Sequence, residues 1–188
     1  MKKVKLQLQT SLDGFIADKD GGMEWITRTS DKDFGAEVHH LIDTSDTIIL
    51  GCKLAAGFIP YWEDVITHPN DPQNDFAHKM VNTPKVVFSK TMTEPNGNNT
   101  TIANGDLVTE IGKLKSREGK DIIVYGGGSL ASALIKEGLI DEYYLFMNPA
   151  ALGKGLSIYQ LLNDTLKLKL VSTKAFHCGI VLLCYQPA

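Results

Sequence analysis

The sequence predicts a single α/β domain with a mixed, mostly parallel sheet that is flanked by helices and ends in an antiparallel hairpin. Short apolar runs alternate with segments of helical periodicity through the middle of the chain, which indicates parallel strands joined by crossover helices. Two strand-like segments at the end, split by His177-Cys178-Gly179, indicate the hairpin. The chain has 188 residues and no internal repeat, so we expect one domain over residues 1–188.

The first half of the chain combines alternating, helical and apolar patterns. Phe34, Val38 and the pair at 41–42 recur at helical spacing, and Ser30 or Asp31 is placed to cap that helix. Pro60, Pro69 and Pro72 predict that residues 58–74 are mostly loop. The predicted elements are a strand over 3–10, a helix over 31–43, a strand over 47–50, a helix over 75–81 and a strand over 85–88.

The second half begins with a turn at 96–99, where Asn-Gly-Asn-Asn is typical of an exposed tip. Leu107, Ile111 and Leu114 then share one side of a helix. The predicted elements are helices over 107–115 and 129–137, strands over 121–125 and 140–148, and hairpin strands over about 166–176 and 180–186.

Three glycines, Gly126-Gly127-Gly128, stand between the strand at 121–125 and the following helix. Glycine lets a bulky anion approach the backbone, and a helix start offers unpaired N–H groups and the positive end of the helix dipole. The segment therefore predicts a phosphate or pyrophosphate site; the alternative is a turn needed only for packing. It is neither the G-x-G-x-x-G of a Rossmann unit nor a P-loop.

Two further strand ends carry residues suited to phosphate. Gly51-Cys52-Lys53 follows one apolar strand, and Ser89-Lys90 follows another. Either lysine alone is more often a solvated surface side chain. Because the carboxyl ends of parallel strands meet at one edge of a sheet, we expect these residues to converge with the glycines.

Composition narrows the classes of function. A net charge of -3 argues against a nucleic-acid or anionic-membrane binder. Three cysteines without C-x-x-C spacing, and scattered histidines, predict no metal site and fit a reducing compartment. No apolar run approaches about 20 residues, so we expect no membrane span and a cytoplasmic location.

Three ordered motifs resemble one known family. They are QTSLDGFIA at 9–17, GGGSL at 126–130, and LIDEYYL at 139–145 followed by NPAALGKG at 148–155. Together they are similar to the reductase domain of riboflavin biosynthesis, the RibD C-terminal domain family, which has a dihydrofolate-reductase-like fold. The resemblance spans roughly residues 4–185.

The resemblance implies a sheet of about eight strands, NADPH as the hydride donor, a small-molecule substrate and often a homodimer. It places the pyrophosphate at the triple glycine, and the nicotinamide beside the loop that ends at Ala17. The cofactor-binding residues it implies are Ala17, Gly51, Cys52, Lys53, Ser89, Lys90, Gly126, Gly127, Gly128, Ser129 and Leu130. Family members usually carry Gly-Arg where this chain has Gly51-Cys52, which leaves NADH open as the cofactor.

Candidate catalytic residues are the carboxylates Asp13, Asp33 and Glu37, which the family fold would bring near the nicotinamide and the first helix. For Asp31 and Asp33, the position at a helix start favours helix capping and compensation of the helix dipole. By the same analogy the substrate would lie near Asp13, Trp25 and Phe34, although Trp25 could instead fill the core.

The function implied is an NADPH-dependent oxidoreductase acting on a pyrimidine- or pterin-like substrate, of the 5-amino-6-(5-phosphoribosylamino)uracil reductase type. Bifunctional family members also carry a zinc deaminase with H-x-E and P-C-x-x-C motifs, which this sequence lacks. Two alternatives stay open: a non-catalytic nucleotide-binding homodimer that retains the fold, and dihydrofolate reduction itself.

Overall fold

A computed structural model describes all residues, 1–188, and contains ten strands and five helices. The strands are β1 (Val4–Thr10), β2 (Phe15–Asp18), β3 (Ser45–Gly51), β4 (Lys85–Phe88), β5 (Thr100–Ala103), β6 (Asp121–Gly126), β7 (Glu142–Met147), β8 (Gly155–Ser157), β9 (Leu168–Ala175) and β10 (Val181–Pro187). The helices are α1 (Lys32–Asp43), α2 (Cys52–Val65), α3 (Asn74–Asn82), α4 (Leu107–Lys115) and α5 (Gly128–Lys136).

Eight of the strands form one sheet in the order β5-β4-β3-β6-β1-β7-β10-β9. The six strands from β5 to β7 run parallel to one another, and β10 runs antiparallel to both of its neighbours. The predicted mixed, mostly parallel sheet with a closing hairpin is therefore confirmed. Strands β2 and β8 form a separate antiparallel pair beside it.

The sheet separates two hydrophobic cores. Ile122 and Val124 of β6 face a core that also contains apolar residues of α4 and α5. Ile123, on the other face of the same strand, belongs to a core formed with α1, α2 and α3. Alternating side chains of a central strand thus reach opposite layers, as they must when helices cover both faces.

Helix α1 begins where the sequence predicts. Asp31 is its N-cap, and one carboxylate oxygen accepts hydrogen bonds from the backbone N–H groups of Asp33, at 2.9 Å, and Phe34, at 3.1 Å. A carboxylate at this position pairs N–H groups that the helix leaves free and interacts favourably with its dipole.

The prediction of a loop over residues 58–74 is wrong in its first part, because α2 continues to Val65 with Pro60 inside it. Ala55 and Ile59 are buried on the same side of this helix. A proline inside a helix removes one backbone hydrogen bond and clashes with the preceding turn. We infer that burial of the apolar side of α2 outweighs that cost.

Three short strands, β2, β5 and β8, were not predicted from the sequence; each has only three or four residues. None of the five helices is long and apolar enough to cross a lipid bilayer.

Candidate functional site

A cleft of 410 Å³ opens at the carboxyl ends of β3, β4 and β6, which are neighbours in the sheet. The predicted convergence of these strand ends is therefore present. The residues lining the cleft are Gly51, Cys52, Lys53, Leu54, Phe88, Ser89, Lys90, Ala103, Gly105, Leu107, Gly127, Gly128, Ser129, Leu130 and Ala133.

Two helices begin at this cleft, and both begin without a capping side chain. The N-cap of α2 is Gly51 and that of α5 is Gly127, and neither helix has an acidic residue in its first turn. The other three helices all carry an acidic residue there. Free N–H groups and two uncompensated positive dipole ends therefore face the same space, which suits an anion.

The glycines leave that space open. A Cβ on Gly127 would meet nothing closer than the Cβ of Leu54, at 3.8 Å, so it would project into the cleft. Gly126 has φ +104°, a conformation that favours glycine, and the peptide bond that joins it to Gly127 is cis. A Cβ on Gly51 would lie 3.4 Å from the backbone nitrogen of Gly127, so the two strand ends are in close contact.

The charged side chains at the cleft are all cationic. Lys53 and Lys90 line it, and no carboxylate does. Lys90 Nζ donates to the carbonyl oxygens of Asn104, at 3.0 Å, and Gly105, at 2.8 Å, so it also holds the loop after β5. Lys53 is exposed and forms no ion pair within the chain. In a protein of net charge -3, this concentration of positive charge indicates a negatively charged ligand.

Ser89 is buried at the floor of the cleft. Its hydroxyl oxygen accepts hydrogen bonds from the backbone N–H groups of Thr91, at 3.2 Å, and Met92, at 2.9 Å. The hydroxyl proton remains free to be donated. Ser89 therefore shapes the loop after β4 and still offers one donor to a ligand.

These features fit the phosphates of a nicotinamide dinucleotide. All the predicted cofactor-binding residues except Gly126 and Ala17 line the cleft. Gly126 ends β6 immediately before it. Ala17 is buried in β2, and its neighbour Ile16 approaches the cradle instead: a Cβ on Gly128 would lie 3.0 Å from Ile16 Cδ1.

Asp13 joins two loops rather than pointing at an open site. One carboxylate oxygen accepts from the Ser11 hydroxyl at 2.6 Å, and the other accepts from the backbone N–H groups of Leu152, at 3.0 Å, and Gly153, at 2.6 Å. The Ser11 hydrogen bond, followed by those from the backbone, lowers the pKa of Asp13 to about 2. Asp13 is thus an anion at neutral pH and a poor proton donor.

The structure does not gather the other predicted catalytic and substrate residues around Asp13. Asp33 is exposed in the first turn of α1. Glu37 accepts from Lys174 Nζ at 3.2 Å, on the side of α1 next to the hairpin. The Phe34 ring packs edge-on against Phe146, with 5.4 Å between ring centroids.

Trp25 lies in the segment before α1, and its Nε1 is buried without a hydrogen-bond partner. In the sheet, Gln7 and Tyr125 also have a buried side-chain oxygen without a hydrogen-bond partner. The sequence analysis did not select either residue. Gln7 alternates with apolar residues in β1, and this pattern suggests a side chain that faces solvent. Gln7 is buried instead because helices cover both faces of the sheet, which the sequence pattern alone does not indicate.

The comparisons with known proteins agree with this architecture. The chain is 33% identical over 187 residues to the uncharacterized protein YyaP of Bacillus subtilis, covering 98% of this chain and 95% of YyaP. It is 27% identical over 172 residues to the riboflavin biosynthesis protein RibD of Corynebacterium ammoniagenes, covering 87% of this chain and 48% of RibD.

Among solved structures, the fold matches the diaminohydroxyphosphoribosylaminopyrimidine deaminase/5-amino-6-(5-phosphoribosylamino)uracil reductase of Thermotoga maritima. The TM-score is 0.70 at 20% sequence identity, over 100% of this chain and 57% of that protein. The family model described as "RibD C-terminal domain" matches residues 2–182. The chain therefore belongs to the RibD C-terminal domain family, whose reductases share its dihydrofolate-reductase-like fold.

Proposed function

We propose that this chain is an NADPH-dependent reductase whose substrate contains a pyrimidine- or pterin-like ring. The observation that carries the proposal is the cleft itself: two uncapped helix starts and two lysines surround a space that no carboxylate enters. A dinucleotide brings a pyrophosphate, and NADPH adds a 2′-phosphate, so each part of this positive surface has an anionic group to bind.

Each part of the cleft has a role in this proposal. The amides from Gly127 to Leu130 bind the pyrophosphate, and Lys53, Ser89 and Lys90 bind the adenosine 2′-phosphate. When bound, NADPH supplies the hydride that reduces the substrate. The chain supplies position and electrostatics, and its contribution to rate is to hold donor and acceptor in contact.

In this function Asp13 is a positioning residue. Its carboxylate connects the loop at 11–15, which leads into β2, to the loop at 148–153, which leads into β8. Ile16 of β2 in turn contacts the glycine cradle. The ordered loop keeps water out and gives the nicotinamide a fixed wall.

The relatives suggest the first substrate to test. The Thermotoga maritima protein is named as a 5-amino-6-(5-phosphoribosylamino)uracil reductase, and this chain matches 57% of its length. The assay follows NADPH absorbance with that compound and, separately, with dihydrofolate. We expect oxidation of NADPH with the uracil compound. Binding of NADPH without turnover of either compound would favour a nucleotide-binding protein without catalysis.

Gly127→Val tests the cradle directly. The new side chain enters the space that the phosphates would occupy, so we expect NADPH affinity, measured by cofactor fluorescence, to fall at least about a hundredfold, the loss of roughly two charge-assisted hydrogen bonds. Circular dichroism should show a retained fold, because the Cβ meets no atom closer than 3.8 Å.

Gly112→Val is the matched control. Gly112 lies in α4, where a Cβ would also meet nothing within 4 Å, and it does not line the cleft. NADPH affinity should be unchanged in this variant. Wild-type protein that does not bind NADPH at millimolar concentration would refute the proposed function.

A further inference from the structure

Four buried side-chain atoms have no hydrogen-bond partner: Gln7 Oε1, Trp25 Nε1, Tyr125 OH and Ser132 Oγ. A buried polar atom left unpaired costs stability, so such atoms are rare and call for an explanation. Ser132 stands apart in α5, on the other side of the sheet. Gln7 and Tyr125 lie together, and their position suggests a ligand.

Gln7 and Tyr125 occupy adjacent strands and the same face of the sheet. Leu6 of β1 pairs with Val124 of β6, so the next residue of each strand stands beside the other. Leu6 and Val124 face the core under α4 and α5. By alternation, Gln7 faces the layer of α1, α2 and α3, and Tyr125 packs against the core of that layer.

A β-bulge marks the position of Tyr125. In the pairing of β3 with β6, Ile49 is opposite Val124 while Leu50 is opposite Gly126, which leaves Tyr125 as the extra residue. Bulges of this kind redirect a side chain and are common next to active sites. The residue that follows, Gly126, begins the glycine cradle, so Tyr125 adjoins the proposed pyrophosphate site.

Trp25 approaches the same face from the segment before α1. The backbone N–H of Thr27 donates to Asn148 Oδ1 at 2.9 Å, and Asn148 Nδ2 donates to Gln9 Oε1 at 2.8 Å. Gln9 is two residues beyond Gln7 and therefore on its face of β1. The segment that carries the Trp25 indole is thus linked by hydrogen bonds to the carboxyl end of β1, on the face that carries Gln7 and Gln9.

The two unpaired atoms have complementary hydrogen-bonding roles. The amide oxygen of Gln7 is an acceptor, and the phenol of Tyr125 is a donor whose pKa burial raises well above its usual value, so it stays protonated. Both residues come directly after the last pair of β1 with β6, and neither atom has a hydrogen-bond partner within the chain. An adjacent donor and acceptor match the –CO–NH– edge of a lactam, which pyrimidinones and pterins carry.

We propose, resting on the proposed function, that Gln7 and Tyr125 recognise the lactam edge of the substrate ring. Gln7 Oε1 accepts from the ring N–H, and the Tyr125 hydroxyl donates to the adjacent ring carbonyl. Both atoms are covered in the structure, so ring binding must displace a neighbouring side chain. Phe58 of α2, whose ring centroid is 5.5 Å from that of Tyr125, is in place to move.

The probe is lumazine, a fluorescent pteridine-dione, compared with 1,3-dimethyllumazine, in which methyl groups replace both ring N–H hydrogens. Wild-type protein with NADPH bound should prefer lumazine by about tenfold, the value of one hydrogen bond. In Gln7→Met this preference should disappear. In Tyr125→Phe both compounds should bind about tenfold more weakly.

Thermal unfolding without ligand separates recognition from structure. Gln7→Met and Tyr125→Phe each remove an unpaired polar atom, so Tm should stay level or rise. The matched control is Tyr144→Phe, on the same face, whose hydroxyl donates to Glu142 at 2.9 Å. Tyr144 stands opposite Gln7 on β7, but its hydroxyl is already engaged by Glu142, so Tyr144→Phe should lower Tm and leave lumazine affinity unchanged. NADPH affinity should be unchanged in all three variants.

The outcomes distinguish this inference from the proposed function. Failure of wild type to bind NADPH refutes the function. If NADPH binds, the inference is overturned by lumazine affinities that Gln7→Met and Tyr125→Phe do not change, by the absence of any lumazine binding at millimolar concentration, or by a lowered Tm in both variants. A lowered Tm would mean that the two atoms are satisfied within the free protein.

Discussion

At the scale of single residues, the hydrogen-bond donors around a carboxylate decide what it can do. Asp13 and Asp31 both accept hydrogen bonds from backbone N–H groups. Sequence reasoning gave Asp13 a catalytic or substrate-binding role because of the motif around it. The donors belong to Leu152 and Gly153, which are about 140 residues away in sequence, so no local pattern could reveal them.

The Asp13 contact should respond to pH in a predictable direction. Its pKa in the folded protein is about 2, below the ordinary value of 3.8. The contact is therefore fully present above pH 3.8 and is lost as the pH falls through about 2. We expect the amide proton shifts of Leu152 and Gly153, followed by NMR, to titrate near pH 2.

Asp13→Asn should move both amide signals at neutral pH and abolish that titration. It should also lower kcat more than it raises the Kd of NADPH, because the carboxylate positions a loop and does not touch the phosphate cradle. Titration of the wild-type signals near pH 4 would show that the carboxylate is not held as the structure shows.

Lys53 should decide cofactor preference. It is the cation at the cleft without a partner inside the chain, and it is one position from where family members usually carry arginine. We expect Lys53→Met to weaken NADPH binding about tenfold at low salt, within the range of a charge-assisted hydrogen bond, and NADH binding less than about twofold.

The readout for Lys53 is fluorescence titration of both cofactors at two salt concentrations. Lys136→Met is the control, because Lys136 is an exposed lysine at the end of α5 and does not line the cleft. Equal weakening of NADPH and NADH by Lys53→Met would place the 2′-phosphate elsewhere.

At the scale of elements, burial explains both the successes and the errors of sequence reasoning. Helices α1 and α4 were predicted nearly to the residue because each has an apolar stripe, and in the structure an aspartate caps the start of each. Helix α2 was missed because Pro60 is a strong local signal for a break, and only the tertiary burial of Ile59 and Ala55 overrides it. Strands β5 and β8 are too short to show a period.

A buried lysine, Lys85, holds the carboxyl end of helix α3. Lys85 Nζ donates to the carbonyl oxygens of Met80, Val81 and Thr83, at 2.8 to 3.0 Å, and the residue is only 2% exposed. Lys85→Met leaves these carbonyls unpaired, so we expect a loss of about 2–3 kcal/mol in unfolding free energy, measured with urea. Lys113→Met, an exposed lysine on α4 paired with Glu110, should cost under about 0.5 kcal/mol.

The Lys85 contact also has a definite pH dependence. Burial lowers the pKa of Lys85 below 10.5, so the folded protein loses this proton before the unfolded chain does. The cost of burying the charge therefore disappears as the pH rises toward 10.5, and the difference between wild type and Lys85→Met should grow over that range. If the difference in unfolding free energy between wild type and Lys85→Met shrinks as the pH rises, the pKa of Lys85 is not lowered by burial.

At the scale of the whole molecule, strand order explains why the site was largely predictable. Glycine and lysine at three strand ends indicate a site only if those strands are neighbours, and the parallel sheet places β4, β3 and β6 side by side. The substrate side was less predictable. It depends on the face of β1 that carries Gln7 and on a bulge at Tyr125, and neither is visible without the sheet register.

Strand β9 forms one edge of the same sheet, and we expect two copies of the chain to associate through it. This strand is exposed along nearly its whole length, with Leu170 48% and Val171 55% exposed, although these neighbours point to opposite faces. An exposed edge with apolar side chains on both faces invites pairing with another chain. We expect a homodimer in sedimentation or light scattering at micromolar concentration.

Leu170→Glu should convert that homodimer to a monomer, because a buried, unpaired carboxylate at the contact costs far more than the leucine contributes. Val108→Glu, at a comparably exposed valine (47%) on α4, should leave the dimer intact. NADPH affinity should be the same in all three proteins, since β9 does not line the cofactor cleft. A monomeric wild type, or a dimer that Leu170→Glu does not disturb, would show that this edge is not the contact.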